Sequence, residues 1–130
     1  MPELAGYAHV AITVSDLDRS LAFYERLLGA GPVGRIQLDG LDRHLFSVGR
    51  GQILGVTGYD AGRDDAFDPT MPGLDHIGLA VADRDGVVAW QEHAASVGIE
   101  SDLQDVDFGH ALMIKDPDGN QIEFFAPPAQ

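Results

Sequence analysis

The chain is predicted to fold as an α+β protein of two tandem βαβββ modules. Their eight strands are expected to form one cup-shaped mixed sheet with the two helices outside. Three observations carry that expectation. Residues 8–16 (AHVAITVSD) reappear 67 positions later as residues 75–83 (DHIGLAVAD), with His, Val and Asp coinciding and the intervening pairs keeping similar size. A helix-like run follows each copy, and Phe23 and Trp90 repeat the same spacing. Each half then supplies short alternating segments bounded by Gly- and Asp-rich turns. An internal repeat of this kind fixes the architecture ahead of any propensity argument.

The elements follow in order. Residues 7–14 alternate, with Tyr7, His9, Ala11 and Thr13 on one face and Ala8, Val10, Ile12 and Val14 on the other. A period of two marks a strand. Ser15-Asp16 offers a helix N-cap, and Asp18 places negative charge in the first turn, where it complements the helix dipole. Leu17, Leu21, Tyr24 and Leu28 recur at helical spacing, and Gly29 ends the helix. Segments 35–38 and 41–48 flank Asp39-Gly40, a two-residue hairpin signal, and 52–57 completes the first module. Residues 58–73, rich in Gly, Pro and Asp, read as a connector. The second module repeats the order: a strand over 74–81, then a helix over 85–97 capped near Asp83 and closed by Gly98. A short strand is expected from Ile99, then an acidic loop (Asp102, Asp105, Asp107) able to act as a lid. A hairpin of 111–115 and 121–126 follows, around Asp116-Pro117-Asp118-Gly119-Asn120. The modules are thus assigned to residues 5–57 and 74–127 of a single domain, 1–130.

Composition narrows the class. At 130 residues with 45% hydrophobic content, the chain can bury a core without staples. It has no cysteine, hence no disulfide framework, thiolate ligand or Cys nucleophile. No apolar run approaches the length of a membrane span, and the N-terminus lacks a signal-peptide layout, so a cytoplasmic protein is expected. The net charge of -13, with only 8 basic residues, argues against nucleic acid and anionic membranes as partners.

The residues that carry chemistry come from the repeat. A single histidine on an apolar strand is ordinarily a satisfied core residue. His9 and His76, however, stand at matching phases of the two copies. On the last strand Gln121, Glu123 and Phe125 share a face opposite Ile122, Phe124 and Ala126, leaving Glu123 a lone carboxylate in an apolar strand. A buried carboxylate is costly unless paired or bound to a cation. Two imidazoles and a carboxylate suit one divalent ion (Fe, Mn, Ni, Co or Zn) and leave positions open for substrate.

The paired βαβββ modules, the histidine opening each, and the closing run Asp-Pro-Asp-Gly-Asn-Gln-Ile-Glu (116–123) together resemble the vicinal oxygen chelate superfamily. That superfamily includes glyoxalase I, methylmalonyl-CoA epimerase, extradiol dioxygenases, fosfomycin-modifying thiol transferases and bleomycin-sequestering proteins. The resemblance implies that His9, His76 and Glu123 are metal ligands and that a small-molecule substrate occupies the cup. Glyoxalase-like members carry a fourth ligand, Glu or Gln. Counting back 69 positions from Glu123, the offset between Gly29 and Gly98, reaches Leu54, with Gln52 two residues earlier. Three ligands with Leu54 as an apolar wall of the substrate pocket are therefore expected, and Gln52 would reach the site through a register slip. Tyr7 and Phe125 share faces with His9 and Glu123 and are expected to line the pocket. Met113 stands where dioxygenases and thiol transferases tend to carry a substrate-contacting Tyr. His110 is turned off that face by strand parity, and Arg43-His44 offers a polar anchor for an anionic substrate. The resulting expectation is a glyoxalase-like isomerase or lyase with Glu123 catalytic. An oxygenase or thiol transferase and a metal-free ligand-sequestering protein are the rivals. A homodimer is expected, because exposed strand edges are usually paired or protected.

Overall fold

The structure, a computed structural model, describes residues 1–129. The chain divides into two compact units, Met1–Asp64 and the segment from Asp65 onward. Each contains one helix and one four-stranded mixed sheet, eight strands in all.

In the first unit β1 (His9–Thr13) leads into α1 (Leu17–Leu28), followed by β2 (Gly34–Leu38), β3 (Leu41–Ser47) and β4 (Ile53–Tyr59). The sheet order is β1-β4-β3-β2, with β1 parallel to β4 and the other pairs antiparallel. The expected cap is present: Asp16 accepts a hydrogen bond from the Arg19 backbone N–H at 3.1 Å. Gly29 closes the helix at φ 74°, a conformation glycine adopts without a Cβ penalty. The helix covers the face bearing Ile12, Val14, Phe46, Leu54 and Val56, all buried. Tyr24 packs edge-on to Phe23 at 5.2 Å and tilted on Phe46 at 6.2 Å. His9, Ala11 and Thr13 occupy the other, exposed face of β1.

The second unit repeats the plan with β5 (Ile77–Ala80), α2 (Arg84–Ser96), β6 (Asp102–Val106), β7 (Gly109–Lys115) and β8 (Gln121–Ala126), in the order β5-β8-β7-β6. Asp83 caps α2 by accepting from the Gly86 N–H at 2.9 Å. Trp90 stacks on Phe124 at 4.3 Å, so α2 covers the face that also buries Leu112, Ile114 and Ile122. The β7–β8 turn is organised by Asp116. Its carboxylate, in a residue only 5% exposed, accepts from the N–H groups of Asp118 and Asn120 and from the Asn120 side chain. No helix among the described residues is long and apolar enough to cross a membrane.

Three expected features differ. Ile99 opens no strand: its N–H bonds back to the Ala94 carbonyl at 2.8 Å and the side chain is buried, so it seals the end of α2 while Gly98 turns at φ 77°. The acidic segment is not a lid loop. Asp102 and Asp105 belong to β6, whose charges lie outward along a sheet edge, as edge strands commonly arrange them. Finally, β5 begins at Ile77, so His76 precedes the ladder instead of lying within it.

Candidate metal and substrate site

Ladder register shows which residues share a face. In the second sheet, Asp102, Met113, Glu123 and Gly78 stand opposite one another across the four strands. The neighbouring row on that face is Gln104, Ala111, Phe125 and Ala80. Glu123 therefore lies away from α2, with a side chain 17% exposed. His76 reaches it from the approach to β5: Nε2 lies 3.8 Å from Glu123 Oε2, too far for a hydrogen bond. On the opposite side of the imidazole, Nδ1 is 2.8 Å from Asp75 Oδ1. A carboxylate can only accept, so Nδ1 carries a proton, and in the neutral imidazole Nε2 is left with a lone pair on the side of Glu123. Gln121 holds the segment by donating from Nε2 to the Asp75 carbonyl at 2.9 Å.

This pair fits a divalent ion. Two donors, each about 2.1 Å from a first-row ion, can stand at most about 4.2 Å apart, and an N, O donor set of this kind suits Fe, Mn, Co, Ni and Zn. Among the described residues no group of three or more His, Cys, Asp or Glu side chains is placed to hold a metal. His9 lies on the first unit, exposed, on the face of its sheet that is turned from α1.

Register also corrects the fourth position. Ala11 pairs with Gly55 and Gly55 with Leu45, as Gly78 pairs with Glu123 and Glu123 with Met113. The counterpart of Glu123 is thus Gly55, one residue beyond Leu54. Leu54 pairs with Val10 and Phe46, is 2% exposed, and faces α1; it does not share a face with His9. Gln52 falls outside β4, in the tight turn where its N–H bonds to the Gly49 carbonyl at 2.9 Å. The glycine-to-glycine offset failed because the two glycines are not equivalent: Gly29 is the C-cap of α1, whereas Gly98 stands one residue beyond Val97, the C-cap of α2. Of the other expected wall residues, Met113 and Phe125 lie on the Glu123 face, and Tyr7 is exposed ahead of β1. Phe125 stacks with Phe108 at 6.3 Å.

His110 lies off that face, in line with its strand parity. Its Nδ1 is 2.6 Å from Asp105 Oδ1, and Asp105 also takes both N–H groups of the Arg84 fork at 3.0 Å. The hydrogen bonds from Arg84, and then from His110, hold the Asp105 carboxyl down at about 2. Asp75, the partner of His76, was visible in the sequence only as an acid directly preceding the histidine.

Comparison with known proteins agrees with the fold. Residues 6–124 match the Glyoxalase/Bleomycin resistance protein/Dioxygenase superfamily. The chain is 34% identical over 125 residues to the trivalent organoarsenical cleaving enzyme of Bacillus sp. (strain MD1), covering 92% of this chain and 71% of that protein. The crystal structure of a glyoxylase/bleomycin resistance protein/dioxygenase domain from Frankia sp. EAN1pec superposes with a TM-score of 0.86 at 29% identity, covering 97% of this chain and all of that one. Lactoylglutathione lyase from Agrobacterium tumefaciens shares the fold, with a TM-score of 0.70 at 21% identity over 96% of each chain. The family match spans both βαβββ modules, the repeated histidine and the closing Glu123 hairpin, and the chain belongs to the Glyoxalase/Bleomycin resistance protein/Dioxygenase superfamily.

Proposed function

We propose that the protein is a divalent-metal-dependent enzyme of glyoxalase-like type, in which His76 and Glu123 are joined by His9 as ligands. The observation that carries this reading is the His76–Glu123 pair: donors 3.8 Å apart, with the imidazole proton held on the far nitrogen by Asp75. His9 is assigned as the third ligand by its repeat equivalence to His76 and by membership of the superfamily. A divalent ion held there would polarise adjacent substrate oxygens and stabilise negative charge developing on them. The chain's own residues do the rest. Asp75 fixes the imidazole tautomer, Gln121 fixes the segment carrying it, and Met113 and Phe125 give an apolar wall beside Glu123. Glu123 is the group assigned to proton transfer, and as a ligand it would have to release the ion transiently to take a proton from the carbon next to a substrate carbonyl and return it to a neighbouring position.

An isomerisation or lyase step is favoured over oxygenation because His110, the nearest further acid-base histidine on β7, is bound to Asp105 on the other face of the sheet. Turnover should persist in anaerobic buffer and stop on chelation; a strict requirement for O₂ would reverse the ranking. A second reading comes from the Bacillus relative, at 34% identity: cleavage of a trivalent organoarsenical. Trivalent arsenic is held most firmly by thiolates, and this chain contains no cysteine, which ranks that reading second. Release of inorganic arsenite from a trivalent arylarsenical would promote it. A metal-free sequestering protein ranks third, and a ligand-induced thermal shift that survives chelation would favour it.

We further propose a homodimer in which the ligands of one site come from two chains. Mixing inactive His9→Ala and Glu123→Ala variants should then restore activity through one intact site per mixed dimer. No recovery despite verified subunit exchange would place each site within one chain.

A further inference from the structure

We propose that Arg43 makes the open face of the first sheet an anion subsite, selective for a small carboxylate attached to an apolar body. The site lies wholly within the first unit. A concavity of about 160 Å³ is lined by His9, Ile36, Arg43, Leu45, Ile53 and Gly55.

Three observations carry the assignment. Arg43 is half-buried, and its Nε donates to the Thr57 hydroxyl at 2.9 Å. No carboxylate among the described residues pairs with its guanidinium. Arg35 and Arg84 differ sharply, for each forks onto a carboxylate of its own, Asp42 at 2.8 and 2.7 Å and Asp105 at 3.0 Å twice. A permanently charged group withdrawn from water without a counter-charge is costly, and an anion in the concavity removes that cost. Second, the guanidinium is positioned and not loose. Thr57 is 1% exposed and directly opposite Arg43 on β4, so its hydroxyl orients the fork while the two terminal amino groups stay available for a bidentate partner. Third, the position depends on Gly55. A Cβ there would stand 3.0 Å from Arg43 Cδ and 3.2 Å from Ala11 Cβ, so the arginine stem fills the space that a side chain at 55 would need. The counterpart of Glu123 is thereby replaced by a cation reaching in from the next strand. Ile36, opposite Arg43 on β2, joins Leu45 and Ile53 as an apolar floor.

Because His9 lines the same concavity, the subsite also names a substrate class for the proposed enzyme: a small organic acid whose carboxylate is held by Arg43. That extension rests on the metalloenzyme reading, whereas the anion subsite rests on the first unit alone.

The test is a titration of the full chain with benzoate, in chelator, followed by NMR of the Arg Nε–H groups and of the Ile and Leu methyls. Saturable shifts are expected at the Arg43 Nε–H and at the methyls of Ile36, Leu45 and Ile53. Neutral benzamide, of the same shape, should give none. Arg43→Gln should weaken benzoate binding by about ten-fold or more, with Arg43→Lys falling between, since Lys keeps the charge but loses the fork. Benzamide matching benzoate, shifts confined to other regions, or binding by Arg43→Gln within about two-fold of the parent would overturn the proposal. The benzamide comparison needs no variant, so it stands even if Arg43→Gln misfolds. Chelator throughout separates this result from any failure of the metal assignment.

Discussion

The two modules share one ladder register and carry different chemistry on it. Behind the repeated histidine, the second sheet reads Asp102, Met113, Glu123, Gly78 across its strands, where the first reads Gly34, Leu45, Gly55, Ala11. In the adjacent row the second has Ala111 and Phe125 where the first has Arg43 and Thr57. One module therefore presents a carboxylate beside its histidine and the other a guanidinium. The faces packed on the helices are alike in kind, Trp90 on Phe124 in one and Tyr24 on Phe46 in the other. The difference shows how a duplicated scaffold diversifies. The helix-facing side is held by packing, while the open side accepts changes of charge that leave the fold unaltered.

Several substitutions can break or sharpen this contrast. Phe124→Ala should cost the most, about 3–5 kcal/mol in chemical denaturation, because it opens a cavity under Trp90 in a fully packed face. Val56→Ala, at the equivalent ladder position of the first sheet, should cost less because fewer atoms are removed. Installing the missing carboxylate by Gly55→Glu should destabilise by about 1–3 kcal/mol through collision with the Arg43 stem and Ala11. Pairing it with Arg43→Ala should recover much of that loss, and additive losses would show that Arg43 does not fill the space.

Asp75→Asn should lower metal affinity by about 10- to 100-fold without unfolding the chain, as expected when the partner of a ligating imidazole is removed. Acid titration probes the edge of the second sheet. Asp105 is held at about 2, below its unfolded value of about 3.9, so its contribution is fully present above about pH 4 and is lost as pH falls through about 2. Asp105→Asn should therefore flatten the decline in urea midpoint over that window; an unchanged profile would remove the Arg84–Asp105–His110 cluster from the account. The smallest effect is expected at Ser20, whose buried hydroxyl has no hydrogen-bond partner. Ser20→Ala should stabilise by about 1 kcal/mol.

Much of this was legible in the sequence because short-range signals and the repeat agree. The caps Asp16 and Asp83, the Asp39-Gly40 hairpin and the alternation around Glu123 all emerge where spacing put them. Leu54 was misplaced for a definite reason. Strand faces alternate with every residue, so a one-residue error in the offset transfers a side chain to the opposite face. Only the hydrogen-bonded ladder fixes that offset, and it identifies Gly55. The β6 hairpin was missed because its acids suggest a loop, although Leu103 and Val106, one on each face, are half-buried. Its turn needs Gly109 at φ 153°, where a side chain would collide with the Phe125 ring and the Ala126 carbonyl. That requirement arises from tertiary packing and leaves no periodic trace.

The central claim is that the repeated histidines and Glu123 hold one divalent ion. Its most direct test is calorimetric titration of chelator-treated full chain with Co(II), with the d–d absorption recorded in parallel. The account predicts one Co(II) per chain, lost on His9→Ala, His76→Ala or Glu123→Gln while circular dichroism stays unchanged. Absence of stoichiometric binding by the parent chain, or binding that survives His76→Ala undiminished, would contradict it.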